Sequence, residues 1–166
     1  MKKIGLISDT HGFLDPKIEK YFSGCDEIWH AGDVGNYQVI DDLQKICPII
    51  RGVYGNIDGQ EIRKTFPKNL RFNCEEVDVW ITHIGGYPNR YSPDVKNEIT
   101  KNPPKLFICG HSHILKVMFD KKLGTLHINP GAAGKSGFHK VKTIVRFSID
   151  NEVIKDLEVI ELGDRV

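Results

Sequence analysis

Residues 4–11 read Ile4-Gly-Leu-Ile-Ser-Asp-Thr-His11. A short apolar run without helical period marks a buried strand. This one stops at Ser8, so Asp9 and His11 stand just beyond its carboxyl end. The arrangement recurs along the chain. Glu27-Ile-Trp-His-Ala31 predicts a second strand, followed by Gly32-Asp33, and Ile49 to Tyr54 a third, followed by Gly55-Asn56. Val77 to Thr82 alternates apolar and polar residues and leads to His83; Leu106 to Cys109 leads to Gly110-His111-Ser112-His113.

Helical patterns lie between these strands. Asp15-Pro16 reads as an N-cap with proline at the first helical position, and Ile18 and Phe22 form the inner face. Val39, Ile40, Leu43 and Ile46 give the clearest amphipathic helix. Ser92-Pro93 opens a short helix through about Thr100. The last third differs. Leu115–Phe119 and Thr125–Asn129 flank a glycine turn, and Thr143–Ile149 and Val153–Ile160 flank Asp150-Asn151-Glu152, which predicts two hairpins. Alternating strands and helices followed by hairpins predict the α/β class: a two-sheet β-sandwich flanked by helices, one domain over residues 1–166.

The chain has 166 residues, 40% of them hydrophobic, which suits one domain with a substantial core. With 23 basic and 22 acidic residues it carries no dense basic stripe, so a long nucleic acid is not the expected partner. Lys135, Lys140, Lys142 and Arg146 form a loose basic group, read as a solvated face. The N-terminal apolar stretch is too short for a signal peptide, and no run reaches membrane-spanning length. Cys25, Cys47, Cys74 and Cys109 form no Cys-x-x-Cys pair. They read as reduced thiols of a cytoplasmic protein, with a zinc-thiolate site as the alternative.

Asp9, His11, Asp33, Asn56, His83, His111 and His113 thus all fall beyond strand ends, where an α/β fold gathers its functional loops. If extended geometry persists, the two members of Asp9/His11, and of His111/His113, share a face. Two carboxylates, an amide and four imidazoles are enough to hold two divalent cations around one shared carboxylate. This mixed oxygen and nitrogen set favours Mn, Fe, Co, Ni or Zn over Mg or Ca. Such a pair activates a bridging water and neutralises phosphoryl charge, which predicts hydrolysis of a phosphate ester. Singly, Gly-Asp and Gly-Asn are ordinary turn dipeptides; the ordered set at strand ends is what carries the metal reading. His30 reads either as a partner behind the ligands or as a buried core histidine.

These segments resemble the signature of the calcineurin-like metallophosphoesterase superfamily: Asp9-Thr10-His11, Gly32-Asp33, Gly55-Asn56-Ile57-Asp58, His83 and Gly110-His111-Ser112-His113. Ile128-Asn129-Pro130-Gly131 is similar to the Asn-Pro-Gly segment of its small YfcE-like phosphodiesterase branch. The resemblance implies Asp9, His11, Asp33 and His113 around one metal and Asp33, Asn56, His83 and His111 around the other. Asp33 would be the bridge, and Asn56 would also touch a substrate oxygen. It also implies a hydroxide bridging the metals, manganese first among them, as the attacking group on a small phosphodiester.

One position departs from the pattern. Many members place a proton-donating histidine where this chain has Ile57, and general-acid catalysis is typically worth about 10²–10⁴-fold. The branch it resembles tends to lack that histidine too, and the role of Asp58 is open. The segment Ile84 to Tyr91 reads as a substrate loop, with Arg90 holding a phosphate oxygen and Tyr87 or Tyr91 stacking on a ring; an ordinary surface loop is the alternative. Two other functions stay open. One is a protein-interaction scaffold, as in the retromer subunit of this fold; the other is a phosphomonoesterase or phosphoprotein phosphatase. A homodimer is the usual prior for assembly.

Overall fold

The computed structural model describes residues 1–166. The chain runs β1 (Lys2–Ile7), α1 (Ile18–Phe22), β2 (Glu27–His30), α2 (Tyr37–Ile46), β3 (Ile50–Gly52), α3 (Gln60–Thr65), β4 (Asn69–Cys74) and β5 (Val77–Thr82). It continues with β6 (Gly86–Tyr87), β7 (Arg90–Tyr91), α4 (Pro93–Lys101), β8 (Leu106–Ile108), β9 (Lys116–Asp120), β10 (Thr125–Asn129), β11 (Val141–Asp150) and β12 (Val153–Asp164).

Two five-stranded sheets have the orders β12-β11-β1-β2-β3 and β4-β5-β8-β10-β9. In each, three strands are parallel: β1, β2 and β3 in one, β5, β8 and β10 in the other. The antiparallel strands complete the edges. β11 and β12 extend the first sheet from β1, while β4 and β9 flank the second.

The sheets face each other across a core that includes Ile4, Leu6 and Trp29 from one and Val79, Ile81, Leu106 and Ile128 from the other. On the outside of the first sheet, Ile18, Phe22, Val39, Ile40, Leu43 and Ile62 of α1 to α3 pack onto Ile7 and Ile28. On the outside of the second, Val95 and Ile99 of α4 cover Trp80 and Phe107. The layers are therefore helix, sheet, sheet, helix. Burial on both faces explains why the parallel strands read as short apolar runs. No helix is long and apolar enough to cross a membrane.

Several elements differ from the sequence expectation. Asp15 heads a turn instead of the helix itself: its Oδ1 accepts the Lys17 N–H at 2.9 Å, and α1 begins at Ile18. The third strand is shorter than expected, because Tyr54 leaves the sheet and its N–H pairs with the Pro67 carbonyl. α3 and β4 were not foreseen. The helix buries only Ile62 within its six residues, too few for a period to register. Lys142 is not on a solvated face. It is buried in a 2.7 Å ion pair with Asp15, because the β11 backbone aims it under the loop after β1.

Candidate metal centre

The loops after β1, β2, β3, β5 and β8 converge, so the carboxyl ends of both sheets supply one site. Two groups of side chains form there: Asp9, His11 and His113, and Asp33, His83 and His111, with the donor atoms of each group within 4.8 Å of one another. Asn56 joins the second through its Oδ1, which accepts the His111 Nδ1–H at 3.0 Å. The groups touch at Asp33, whose Oδ2 lies 3.4 Å from His11 Nε2 and 3.2 Å from His83 Nε2. His113 Nε2 lies 3.1 Å from Asp9 Oδ1.

The paired ligands do not share a face through extended backbone. Asp9, His11, Asp33, His111 and His113 all have positive φ, between 46° and 69°. Non-glycine residues rarely adopt this region, and it costs free energy that the surroundings must offset. The left-handed turns send His111 and His113 to different groups, which alternation along a strand would not do.

The backbone holds each carboxylate by one oxygen and leaves the other facing the histidines. Asp9 Oδ2 accepts from Ser8 Oγ at 2.6 Å and from the His111 N–H at 3.1 Å. Asp33 Oδ1 accepts the Ile57 N–H at 3.1 Å. These loops must lie close: a Cβ on Gly55 would overlap Asp33, and one on Gly110 would overlap Ser8 and Asp9. That is why both positions take glycine.

Asp58 supplies a clamp. It is buried, and its carboxylate accepts the N–H groups of Gly55 at 2.8 Å, Gly35 at 2.9 Å and Val34 at 3.2 Å, tying the Asp33 loop to the Asn56 loop. Asn129 acts likewise under the histidine loop, donating to the Gly110 carbonyl at 3.0 Å and Ser112 Oγ at 3.1 Å. His30 is fully buried; its Nδ1 accepts the Gly32 N–H, so Nε2–H donates to Thr10 Oγ1 at 3.0 Å. It braces two ligand loops from behind, and burial lowers its pKa to about 4.

Burial opposes charge on both aspartates. Contacts with His11 and His113 at Asp9, and with His11 and His83 at Asp33, nevertheless hold both carboxyls well below the usual range. Asp33 and then Asp9 raise His11 to about 9. Burial works against a charged His83, but Asp33 and Asp9 outweigh it and its pKa rises. Asp9 Oδ1, His11 Nε2 and His83 Nε2 are buried without a hydrogen-bond partner. Buried polar atoms are seldom left so. Three of them around two ionised carboxylates fit divalent cations, which the two groups together would hold. Neither group contains a cysteine, so the zinc-thiolate alternative falls away.

Residues 1–152 match the model of the calcineurin-like phosphoesterase superfamily domain. The chain belongs to this superfamily. Membership supports a metal-dependent phosphoesterase, and the chain carries the two candidate metal-binding groups described above. A probable metallophosphoesterase of Methanothermobacter thermautotrophicus is 26% identical over 167 residues, covering 96% of this chain and 92% of its own. Among solved structures, Vps29 of Chaetomium thermophilum superposes with a TM-score of 0.75 at 16% identity, covering 99% of this chain and 100% of its own. A structure described as a novel archaeal phosphodiesterase gives 0.71 at 22% identity, over 96% and 99%. These two likenesses establish the shared fold.

All seven ligand candidates of this calcineurin-like domain thus come together, and Arg90 does not join them. Arg90 is exposed on β7 and lines a separate cleft with Lys96 and Lys122. Tyr91 is tied to Asp120 by a 2.5 Å hydrogen bond, whereas Tyr87 reaches Ser112 of the histidine loop. Ser8, Asp58 and Asn129 were not singled out as site residues from sequence. Only the quoted segments adjoining Asp9, Asn56 and Ile128 offered a signal for them.

Proposed function

We propose that the protein is a phosphodiesterase that uses two divalent cations, with manganese as the first choice, to hydrolyse small accessible diesters. The observation that carries this is Asp33 Oδ2, within 3.4 Å of a histidine from each group, which is the position a bridging carboxylate needs. Such a cation pair supplies an activated water and offsets charge on the phosphoryl oxygens. The chain's own residues prepare the site. Ser8 and the Ile57 N–H aim the carboxylates, Ala31 fixes the His83 tautomer, and Asn56 stands where it can contact a substrate oxygen.

Diesters are favoured because the site opens into a cleft that can receive a second ester arm. The likeness to the archaeal phosphodiesterase agrees with this choice. The fold shared with Vps29 supports a second reading, a protein-interaction scaffold. The intact ligand set weighs against it. Four free thiols fit a reducing compartment, the cytoplasm.

The test is hydrolysis of bis(p-nitrophenyl) phosphate by chelator-stripped protein with and without Mn²⁺, the monoester alongside. Mn²⁺-dependent cleavage of the diester, well above the monoester and lost in folded Asp33→Asn, is expected. No cleavage by protein that demonstrably binds Mn²⁺ would move the assignment to the scaffold.

A further inference from the structure

A cleft of about 360 Å³ opens directly beside the metal centre, with Asn56 and His83 forming one wall. Its other walls bring together Arg63, Lys68, Asn69 and Asp94. The donors here are prepared and unspent. Arg63 is fixed by its Nε–H to the Asp58 carbonyl at 2.6 Å and by stacking over the Tyr54 ring at 4.4 Å, while its terminal nitrogens have no protein partner. Lys68 has neither an ion pair nor a hydrogen bond. Asn69 Oδ1 accepts from Trp80 Nε1 at 3.1 Å, which leaves its NH₂ as the free end. Arg51, Arg71 and Arg146 are each neutralised by a carboxylate, whereas Arg63, like Arg90 and Arg165, is not. In the cleft, two cations face a single acid, Asp94.

Such a wall is built for an anion. A fixed guanidinium and a mobile ammonium make charge-assisted hydrogen bonds to phosphate oxygens, and an amide donor adds a third contact. The cleft meets the metal centre at Asn56 and His83, so a group bound in it lies next to an ester held at the metals.

We propose that this cleft is a subsite for a second phosphate carried on one ester arm of the substrate, held by Arg63 and Lys68, so that the preferred substrates are diesters bearing a further terminal phosphate. The inference rests on the phosphodiesterase reading and narrows its substrate class. Asp94 faces the same space and suits a hydroxyl of the linking group.

The test compares thymidine 5′-(p-nitrophenyl phosphate) with its 3′-phosphorylated derivative, using Mn²⁺-loaded full-length protein. Both release the same nitrophenolate, so the ratio of their kcat/KM values reports recognition of the extra phosphate. The expected ratio is about tenfold or more in favour of the phosphorylated ester, the scale of one lost hydrogen bond to a charged group. Lys68→Ala should lower that ratio about tenfold, and Lys68→Arg should restore most of it. A ratio near or below one in the wild-type protein, or a preference that Lys68→Ala leaves intact, overturns the subsite. Bis(p-nitrophenyl) phosphate serves as the control. Its cleavage without any phosphate preference removes the subsite alone, whereas absence of all diester cleavage removes the underlying reading with it.

Discussion

The His83 Nδ1–H donates to the Ala31 carbonyl at 2.8 Å, so Nε2 is the nitrogen left to face Asp33. A carbonyl on β2's exit thereby sets the tautomer of a candidate ligand on β5's exit, and this hydrogen bond joins one sheet to the other. This is the arrangement in which a histidine is ready for a cation before one arrives.

Readiness has a proton cost, which sets the first prediction. Without metal, His11 holds its proton to about 9, and His83 is also raised. Both must be neutral to bind a cation, so metal and proton compete. Apparent Mn²⁺ affinity of stripped protein should strengthen by about tenfold per pH unit, for each proton released, between roughly pH 7 and 9. Calorimetry in buffers of different ionisation enthalpy reads the released protons directly. Affinity that is flat with pH, with no proton release, would contradict the assignment of these ligands.

Asp58 gives the second prediction. Replacement by alanine strips the Val34, Gly35 and Gly55 N–H groups of their shared acceptor. Orphaning buried donors costs about 1–3 kcal/mol each, and some will find water, so Asp58→Ala should lose about 3 kcal/mol of stability. It should also weaken Mn²⁺ binding, because the Asp33 and Asn56 loops are no longer tied. Asp58→Asn keeps one acceptor oxygen and should recover part of both. Thermal unfolding with and without metal measures the two effects, and an unchanged midpoint in Asp58→Ala would remove the clamp.

Much of this candidate centre was legible in the sequence because ligand and strand signals coincide: each apolar run ends, and a candidate ligand follows. The left-handed backbone at five ligands was not legible. Asp and His carry no turn signature of glycine's strength, and only tertiary contacts make that conformation affordable. β4 escaped for a different reason. Leu70, Phe72 and Cys74 alternate with Asn69, Arg71 and Asn73, but one polar-rich edge strand is a weak pattern. Arg90 was misplaced because β6 and β7 form a small hairpin of their own, which carries it to a different cleft.

His127 supplies the third prediction. It is buried on β10 between the Tyr87 and Phe107 rings, and neither ring nitrogen has a partner. Burial, with Lys116 nearby, lowers its pKa from 6.5 to about 4. Between those values the unfolded chain binds a proton that the folded chain refuses. Stability is therefore full above about pH 6.5 and falls as the pH drops toward 4. A leucine at this position has similar volume and no proton to take. His127→Leu should gain about 2 kcal/mol relative to wild type on moving from pH 8 to pH 5. Denaturant unfolding at the two pH values checks it; a stability difference that does not change with pH would show that the ring titrates freely in the fold.

The last prediction concerns Ile57. Its backbone N–H holds Asp33 Oδ1 while its side chain is 46% exposed, so the residue is anchored at the metal centre with room for a different side chain. The backbone contact survives substitution, and no carboxylate needs to move. A histidine here would place a proton donor beside the reacting phosphate, a contribution worth about 10²–10⁴-fold where the leaving group is basic. Nitrophenolate leaves without such help, whereas an alkoxide does not. Ile57→His should therefore raise kcat/KM for an alkyl diester relative to bis(p-nitrophenyl) phosphate by about tenfold or more, with a new ionisation on the alkaline side of the pH profile. An unchanged ratio in protein that still binds Mn²⁺ would mean that Ile57 does not stand at the leaving-group side, and the proton would have to come from solvent.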